Sequence, residues 1–221
     1  MLTRRHFVIT AGALFSAAIA GPTVAASSAL RKKWAEWDAE VTPPDFDLWT
    51  SNPWGVAPRF LPHLVEVKDG LKPGDIHVDA VARYLYHIGD DGTAMRYGVA
   101  IARGKLYEAG TYTVRRKTHW PSWTPTKEMI ARDALLFRGL EKGMPPGPEN
   151  PLGSRALYLF VGNRDTYLRI HGSPHPESIG GRASSGCVRM IMPHINYMYD
   201  NVKVGVTAFL YPPEKAVSAQ S

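Results

Sequence analysis

Short runs in which apolar and polar residues alternate begin at Asp75 and continue almost to the C-terminus. Alternation over about four to eight residues is typical of β-strands with one buried face. Turn signals at Asp90-Asp91-Gly92 and at 162–165 predict two β-hairpins. The predicted strands cover 76–80, 83–88, 94–101, 106–107, 111–114, 156–160, 166–170 and 206–211.

Helical periodicity is confined to three short segments. Residues 29–40 place Leu30, Trp34 and Trp37 between charges at helical spacing. The other two candidates are 127–136 and 193–202, the latter with Pro193 in its first turn. Many short strands with few helices predict a mainly β fold, a β-sandwich or barrel-like domain with one or two short helices.

The N-terminus has the features of an export signal. Arg4 and Arg5 precede an apolar stretch at 8–20, and cleavage after Ala25 or Ala26 would satisfy the small-residue rule. The arginine pair favours the Tat route over a Sec signal with incidental arginines. We therefore predict a periplasmic protein that has no transmembrane anchor once the signal is removed.

The pattern divides the chain into four segments. Residues 1–25 form the signal, and 26–73 form an arm that is rich in Pro, Trp and Gly and irregular apart from its helix. The main domain covers 74–212. After Pro212-Pro213 the polar tail, 213–221, is predicted to be flexible.

Composition adds a mild positive charge and a single thiol. The formal net charge of +6 falls to +4 when Arg4 and Arg5 leave with the signal. This excess suits an acidic polymer such as cell wall, and no nucleic-acid partner is predicted. Exported proteins usually pair their cysteines, but Cys187 is the only one in the chain. An unpaired thiol in an oxidising compartment favours a reactive role over a buried apolar one.

Cys187 and His171 are the candidate reactive pair. His171 follows the predicted strand 166–170, and Cys187 follows a Gly/Ser-rich stretch at 178–186. The intervening loop can return the thiol to the strand end, where imidazole takes its proton or pairs with the thiolate. The carbonyl of Gly172 or the carboxylate of Glu177 could orient the ring.

Four other positions have two interpretations each. Gly186 could aim backbone N–H groups at an oxyanion, or it could be an ordinary turn glycine. Arg189 could hold a substrate carboxylate or form an internal salt bridge. Trp120 and Trp123 could line a groove for an extended ligand or pack in the core. His171 and His175 are spaced as a metal pair only on a helix, which the nearby prolines oppose, so no metal or cofactor is predicted.

These residues resemble the catalytic domain family of L,D-transpeptidases (YkuD-like). The family motif is His-Gly, a variable loop, and Ser-His-Gly-Cys followed by Ile or Val, Arg and a hydrophobic residue. Here His171-Gly172 precedes Ser184-Ser185-Gly186-Cys187-Val188-Arg189-Met190. The similarity covers roughly 74–212 and includes 120–125, 129–132, 147–153 and 167–170. Ser185 stands where the family commonly has histidine.

The resemblance implies that Cys187 attacks a peptidoglycan stem tetrapeptide at the bond before its terminal D-Ala, with His171 as base and then acid. Backbone N–H groups of Ser185, Gly186 and Cys187 would hold the oxyanion. The thioester would then pass its acyl group to an amine of a second stem, giving a 3→3 cross-link. Carbapenem-type β-lactams are the expected covalent inhibitors. Water or a protein lysine as acceptor would give a carboxypeptidase or a lipoprotein-attaching enzyme.

Two other functional classes remain open at this stage. A sortase-like transpeptidase also uses Cys, His and Arg, but its His and Cys usually lie farther apart and no Thr-Leu-x-Thr-Cys block occurs. A wall-binding module without turnover is the non-enzymatic alternative. The alkylation rate of the thiol as a function of pH would separate that module from an enzyme.

Overall fold

The computed structural model describes residues 27–213 of the chain. The predicted signal at 1–25 and the tail from residue 214 onward lie outside these described residues. Three helices and eleven strands make up this part of the chain. The helices are α1 (Ser28–Val41), α2 (Lys127–Arg132) and α3 (Met192–Asn201). The strands are β1 (His63–Glu66), β2 (Ile76–Asp79), β3 (Tyr84–Ile88), β4 (Thr93–Gly98), β5 (Ile101–Ala102), β6 (Gly110–His119), β7 (Arg155–Val161), β8 (Arg164–Ser173), β9 (Arg182–Ser184), β10 (Val188–Ile191) and β11 (Thr207–Leu210).

Nine of the strands form one sheet in the order β1-β4-β3-β2-β11-β6-β7-β8-β10. The pairs β2/β11 and β8/β10 are parallel, and the other neighbours are antiparallel. Strands β5 and β9 form a separate parallel pair. The predicted mainly β fold, with two short helices inside 74–212, is confirmed.

The larger of two apolar clusters holds side chains from strands that lie far apart in the large sheet. Fully buried members include Leu85 of β3, Val114 of β6 and Val188 of β10. Helix α3 packs on β7, β8 and β10 and contributes Ile195 and Met198 to this core. Because strands so distant in the sheet share one core, the sheet folds over on itself in the predicted barrel-like manner.

Most predicted elements are present, but several differ in extent. The strand predicted at 94–101 is divided into β4, which ends at Gly98, and β5, which begins at Ile101, and the strand predicted at 111–114 continues to His119. The run at 106–107 is not a strand, because the chain makes a short 3₁₀ turn at Gly104–Leu106 and Gly104 takes a φ of +52°. Helix α2 ends at Arg132 instead of Leu136. Asp133 caps this end, and its N–H donates to the Met129 carbonyl. Strand β8 continues to Ser173, so His171 lies inside the strand and not after its end.

The described part of the arm, 27–73, contains a strand that the alternation pattern did not predict. Strand β1 pairs with β4 at the edge of the sheet, and the exposed pattern of its four residues explains why alternation did not reveal it. Helix α1 lies on the main domain through an ion pair of Asp38 with Arg155, whose Nη2 is 2.8 Å from Asp38 Oδ2. Phe60 of the arm packs in a second apolar cluster with Ile179. Ile179 belongs to the loop between His171 and Cys187.

Candidate active site

Parallel pairing of β8 with β10 brings the predicted reactive residues together. Arg189 lies opposite His171, so Cys187, two residues earlier, stands beside Arg169. Residues two apart on a strand share a face, and His171 and Cys187 both line one cavity of about 880 Å³. The two side chains therefore lie on the same face of neighbouring chain segments, two positions apart along the strands.

His171 is held as a neutral imidazole. Its side chain is buried, and Nδ1 lies 2.5 Å from the carbonyl oxygen of Gly172. Since a carbonyl can only accept, Nδ1 carries the proton and Nε2 keeps a lone pair. Burial lowers the pKa of His171 to about 3, an effect that the charges of Arg189 and Arg169 reinforce and the Gly172 hydrogen bond opposes. The ring is thus a base that is neutral at every physiological pH.

The other suggested partner of this ring is engaged elsewhere. Glu177 Oε1 lies 3.3 Å from Nδ1 of His175, and both side chains are largely exposed. The loop that carries them, 174–181, runs over the surface after β8. Glu177 is therefore not the group that orients His171 in this structure.

The thiol of Cys187 is half-buried and uncharged at neutral pH. Sγ donates a hydrogen bond to the carbonyl oxygen of Tyr167 at 3.7 Å. Burial raises the pKa of the thiol, although the backbone N–H of Arg169 and the charges of Arg169 and Arg189 favour the thiolate. Both pKa directions favour a thiol beside a neutral imidazole over a thiolate–imidazolium pair.

Ser184 fixes the turn that carries Cys187. This buried hydroxyl donates to the Cys187 carbonyl and accepts from the Gly186 N–H at 3.3 Å. Gly186 has φ of +151°, a conformation that residues with a Cβ rarely adopt, and a Cβ there would sit 3.5 Å from Leu168. The sequence analysis gave Ser184 no role, because the hydroxyl acts only through a turn geometry that spacing does not reveal.

Three backbone N–H groups were predicted to surround the oxyanion. The Gly186 N–H already bonds Ser184, so the groups on Ser185 and Cys187 are left as the principal proposed donors. Ser185 itself is half-buried and lines the cavity. Its hydroxyl is too short to reproduce the ring of the histidine that the family commonly carries there.

The predicted substrate-binding residues fall in two different places. Trp123 and Arg189 line the cavity. Trp120 does not: it is buried, its ring packs on Trp37 at 5.2 Å, and its Nε1 donates to Asp38 at 3.2 Å. The prediction of a substrate contact for Trp120 is therefore wrong, because the arm helix covers this ring.

Tyr167 is a cavity residue that the sequence analysis missed. It is 69% exposed and has φ of +61°, a left-handed conformation that costs a residue with a Cβ roughly 1–2 kcal/mol. The turn is held by the Tyr167 N–H, which donates to Asp165 Oδ1 at 2.9 Å. This conformation belongs to the same backbone that presents a carbonyl to the Cys187 thiol.

Two negative findings concern residues 27–213. No helix in this part of the chain is long and apolar enough to cross a bilayer. Within the same residues, no group of three or more His, Cys, Asp or Glu side chains could hold a metal ion.

Known proteins resemble the chain over this same region. The family model described as "YkuD: L,D-transpeptidase catalytic domain" matches residues 73–210. Probable L,D-transpeptidase ErfK/SrfK of Escherichia coli is 31% identical over 147 residues, which are 66% of this chain and 46% of that protein. A putative L,D-transpeptidase of Fuscovulum blasticum is 36% identical over 62% of this chain and 69% of its own length.

A solved structure from Brucella melitensis is also similar. It is described as a probable carnitine operon oxidoreductase, is 46% identical, and covers 70% of this chain and 96% of its own, with a TM-score of 0.48. The chain matches only about half the length of the Escherichia coli relative. The family model, by contrast, spans more than half of the chain and includes both His171 and Cys187. The chain belongs to the L,D-transpeptidase catalytic domain family.

Proposed function

We propose that the chain is an exported, periplasmic cysteine L,D-transpeptidase that forms 3→3 cross-links between peptidoglycan stem peptides. The observation that carries this proposal is the position of Cys187 beside β8, on the face that holds a neutral, carbonyl-oriented His171. Family membership supports the reaction class. Export rests on the twin-arginine segment at the N-terminus.

The proposed first half-reaction forms a thioester. His171 Nε2 accepts the thiol proton as Sγ attacks the carbonyl carbon before the terminal D-Ala of a stem tetrapeptide. The carbon–nitrogen bond breaks, and the same proton passes to the departing D-Ala amine. For this, the S–H bond must rotate from the Tyr167 carbonyl towards the imidazole. Because the pKa of Cys187 is raised, the proton would leave during attack and not beforehand.

The proposed second half-reaction transfers the acyl group. An amine from another stem attacks the thioester and gives up a proton to His171 Nε2. The carbon–sulfur bond then breaks, and the departing Sγ takes that proton from His171. Backbone N–H groups of Ser185 and Cys187 would stabilise the oxyanion in both steps. Water as acceptor would give L,D-carboxypeptidase activity, and a protein lysine would give lipoprotein attachment, through the same acyl-enzyme.

Product analysis tests the proposal and separates these acceptors. The full chain is incubated with a purified disaccharide-tetrapeptide, and products are identified by mass spectrometry. The proposal predicts free D-Ala together with a cross-linked dimer. Free D-Ala with tripeptide alone would indicate a carboxypeptidase. Turnover that is undiminished by C187A would contradict the proposal, and no release of D-Ala by the wild-type chain would favour a wall-binding module.

A carbapenem offers an independent probe of the same thiol. Opening of the lactam ring by Sγ would add the whole carbapenem mass to the protein, without loss of a leaving group. We expect this adduct in the wild-type chain and its absence in C187A. An adduct that persists in C187A would assign the reactive group to another residue.

A further inference from the structure

Arg116, Tyr158 and Arg169 form a row across three neighbouring strands, which leads away from Cys187. Arg116 of β6 lies opposite Tyr158 of β7, and Tyr158 lies opposite Arg169 of β8. The β8/β10 register places position 187 next to Arg169. All four residues line the cavity.

Tyr158 stacks between the two guanidinium groups. The Arg116 Cζ lies 3.6 Å from the ring centroid, and the Arg169 Cζ lies 4.0 Å from it. Stacking holds the plane of a guanidinium without using its N–H donors. Both guanidinium groups therefore contact the same ring, which uses none of their N–H donors.

The two arginines differ in whether a carboxylate is paired with their charge. Arg169 is buried and binds both carboxylate oxygens of Asp165, at 2.7 and 2.9 Å. Partial burial acts to raise the pKa of Asp165. Its hydrogen bonds and the charge of Arg169, with a contribution from the charge of Arg116, outweigh this effect, so the pKa of Asp165 is lowered overall. Arg116 is exposed and forms no hydrogen bond or ion pair with any residue from 27 to 213. Its N–H fork remains available to a ligand.

A bulge in β6 explains why Arg116 lines the cavity and Arg115 does not. The register shifts between Val114 and Arg116, which leaves Arg115 without a partner in β7. Arg115 instead bonds the Gly162 carbonyl, at 2.7 Å, and the side chain of Asn163. It does not line the cavity. Only the bulge separates the roles of these two adjacent arginines.

The charge around the cavity favours an anionic ligand. Six cationic and three acidic side chains line it: Arg103, Lys105, Arg116, Arg132, Arg169 and Arg189, with Glu108, Glu128 and Glu149. Arg103 and Arg132 are paired with Asp133. Arg116 thus combines contact with an aromatic ring, available N–H donors and net positive surroundings, which together suit the binding of a carboxylate through two parallel hydrogen bonds.

We propose that Arg116 binds a carboxylate of the peptide substrate away from the bond that is broken, and so selects acidic stem peptides. The inference rests on the proposed function for the identity of the peptide. Three strand spacings of about 4.8 Å separate Arg116 from position 187, or about 14 Å between Cα atoms. An extended peptide advances about 3.4 Å per residue. The recognised carboxylate therefore lies up to about four residues from the acyl carbon.

Equilibrium binding tests this inference without turnover. In the C187A background, Kd is measured by calorimetry for a stem tetrapeptide with free carboxylates and for the same peptide with its internal carboxylates amidated. We expect R116Q to weaken binding of the acidic peptide about tenfold and to leave the amidated peptide unchanged within twofold. R115Q is the matched control, with the same substitution one residue away, and should behave as the parent. R116K, which keeps the charge but loses the fork, should recover only part of the affinity.

Three results would overturn the inference. The first is the same Kd for the acidic peptide in R116Q and R115Q. The second is an equal loss of affinity by R116Q for the acidic and the amidated peptide. The third is no binding of the acidic peptide by the parent protein. D-Ala release by the chain with Cys187 intact, measured on the same peptides, reports the proposed function separately. Carboxylate binding through Arg116 without D-Ala release would uphold this inference and refute the enzyme.

Discussion

The ion pair between Asp38 and Arg155 attaches the arm helix to the sheet, and its removal is expected to lower the stability of the fold. Arg155 lies in β7 with its side chain 7% exposed, whereas the Asp38 side chain is 29% exposed. The carboxylate accepts from Arg155 Nη1 and Nη2 at 2.9 and 2.8 Å, and from Trp120 Nε1 at 3.2 Å. The substitution D38N keeps the shape but removes the charge and turns an amide donor towards these donors.

The expected loss follows from the burial of the two partners. Removing one partner of a fully buried ion pair costs about 3–5 kcal/mol, because the remaining charge is left unpaired. The partial exposure of Asp38 admits water, so we expect about 2–3 kcal/mol. For a protein of this size each kcal/mol lowers Tm by about 2–4 °C, which gives a fall of about 4–12 °C.

Thermal unfolding followed by circular dichroism measures this effect. E36Q is the matched control, since Glu36 is exposed on the same helix and has no ion pair with residues 27–213. None of the arm residues that the structure describes, 27–73, lines the cavity. Alkylation of Cys187 by iodoacetamide at 25 °C should therefore stay within twofold of the wild type. A Tm for D38N equal to that of E36Q would refute the reasoning that this pair anchors the arm.

Four further substitutions or conditions give results at the site itself. Because the pKa of Cys187 is raised, its alkylation rate should climb through pH 8–10; a plateau extending below pH 7 in a stopped assay would argue for a preformed thiolate. Gly186→Ala should slow carbapenem acylation by about 10²-fold through loss of the turn geometry, whereas Gly162→Ala, also at positive φ, should affect only Tm. Ser184→Ala should cost about 1–3 kcal/mol in denaturant unfolding and slow acylation, and unchanged acylation would remove its positioning role. His171→Gln should lower acylation by about 10²–10⁴-fold at pH 7, and a rate close to the wild type would exclude it as the base.

The fold was readable where strands have one buried and one exposed face. The hairpins around Asp90-Asp91-Gly92 and at 162–165 occur as predicted, because their turn residues separate strongly alternating runs. Strand β1 was missed because most of it is exposed at the sheet edge. Strand β10 was missed because it was interpreted only as the end of a motif, although it supplies the parallel pairing that places Cys187.

The two candidate reactive residues could be predicted from the sequence, but the roles of the residues around them could not. Motif spacing pointed to Cys187 and His171, whereas Trp120 and Trp123 could not be told apart until the packing of α1 was known. The role of Arg116 depends on a one-residue bulge, and that of Ser184 on a turn. Such features depend on backbone register, which a single sequence does not encode in any local pattern.

Mass analysis of the trapped acyl-enzyme tests the central claim most directly. The full chain is mixed with a disaccharide-tetrapeptide, quenched in acid, digested with pepsin at low pH and analysed by mass spectrometry. The account predicts a mass increase equal to the donor minus D-Ala, carried by Cys187, released by hydroxylamine and absent in C187A. An adduct on another residue, or D-Ala release that continues in C187A, would contradict it.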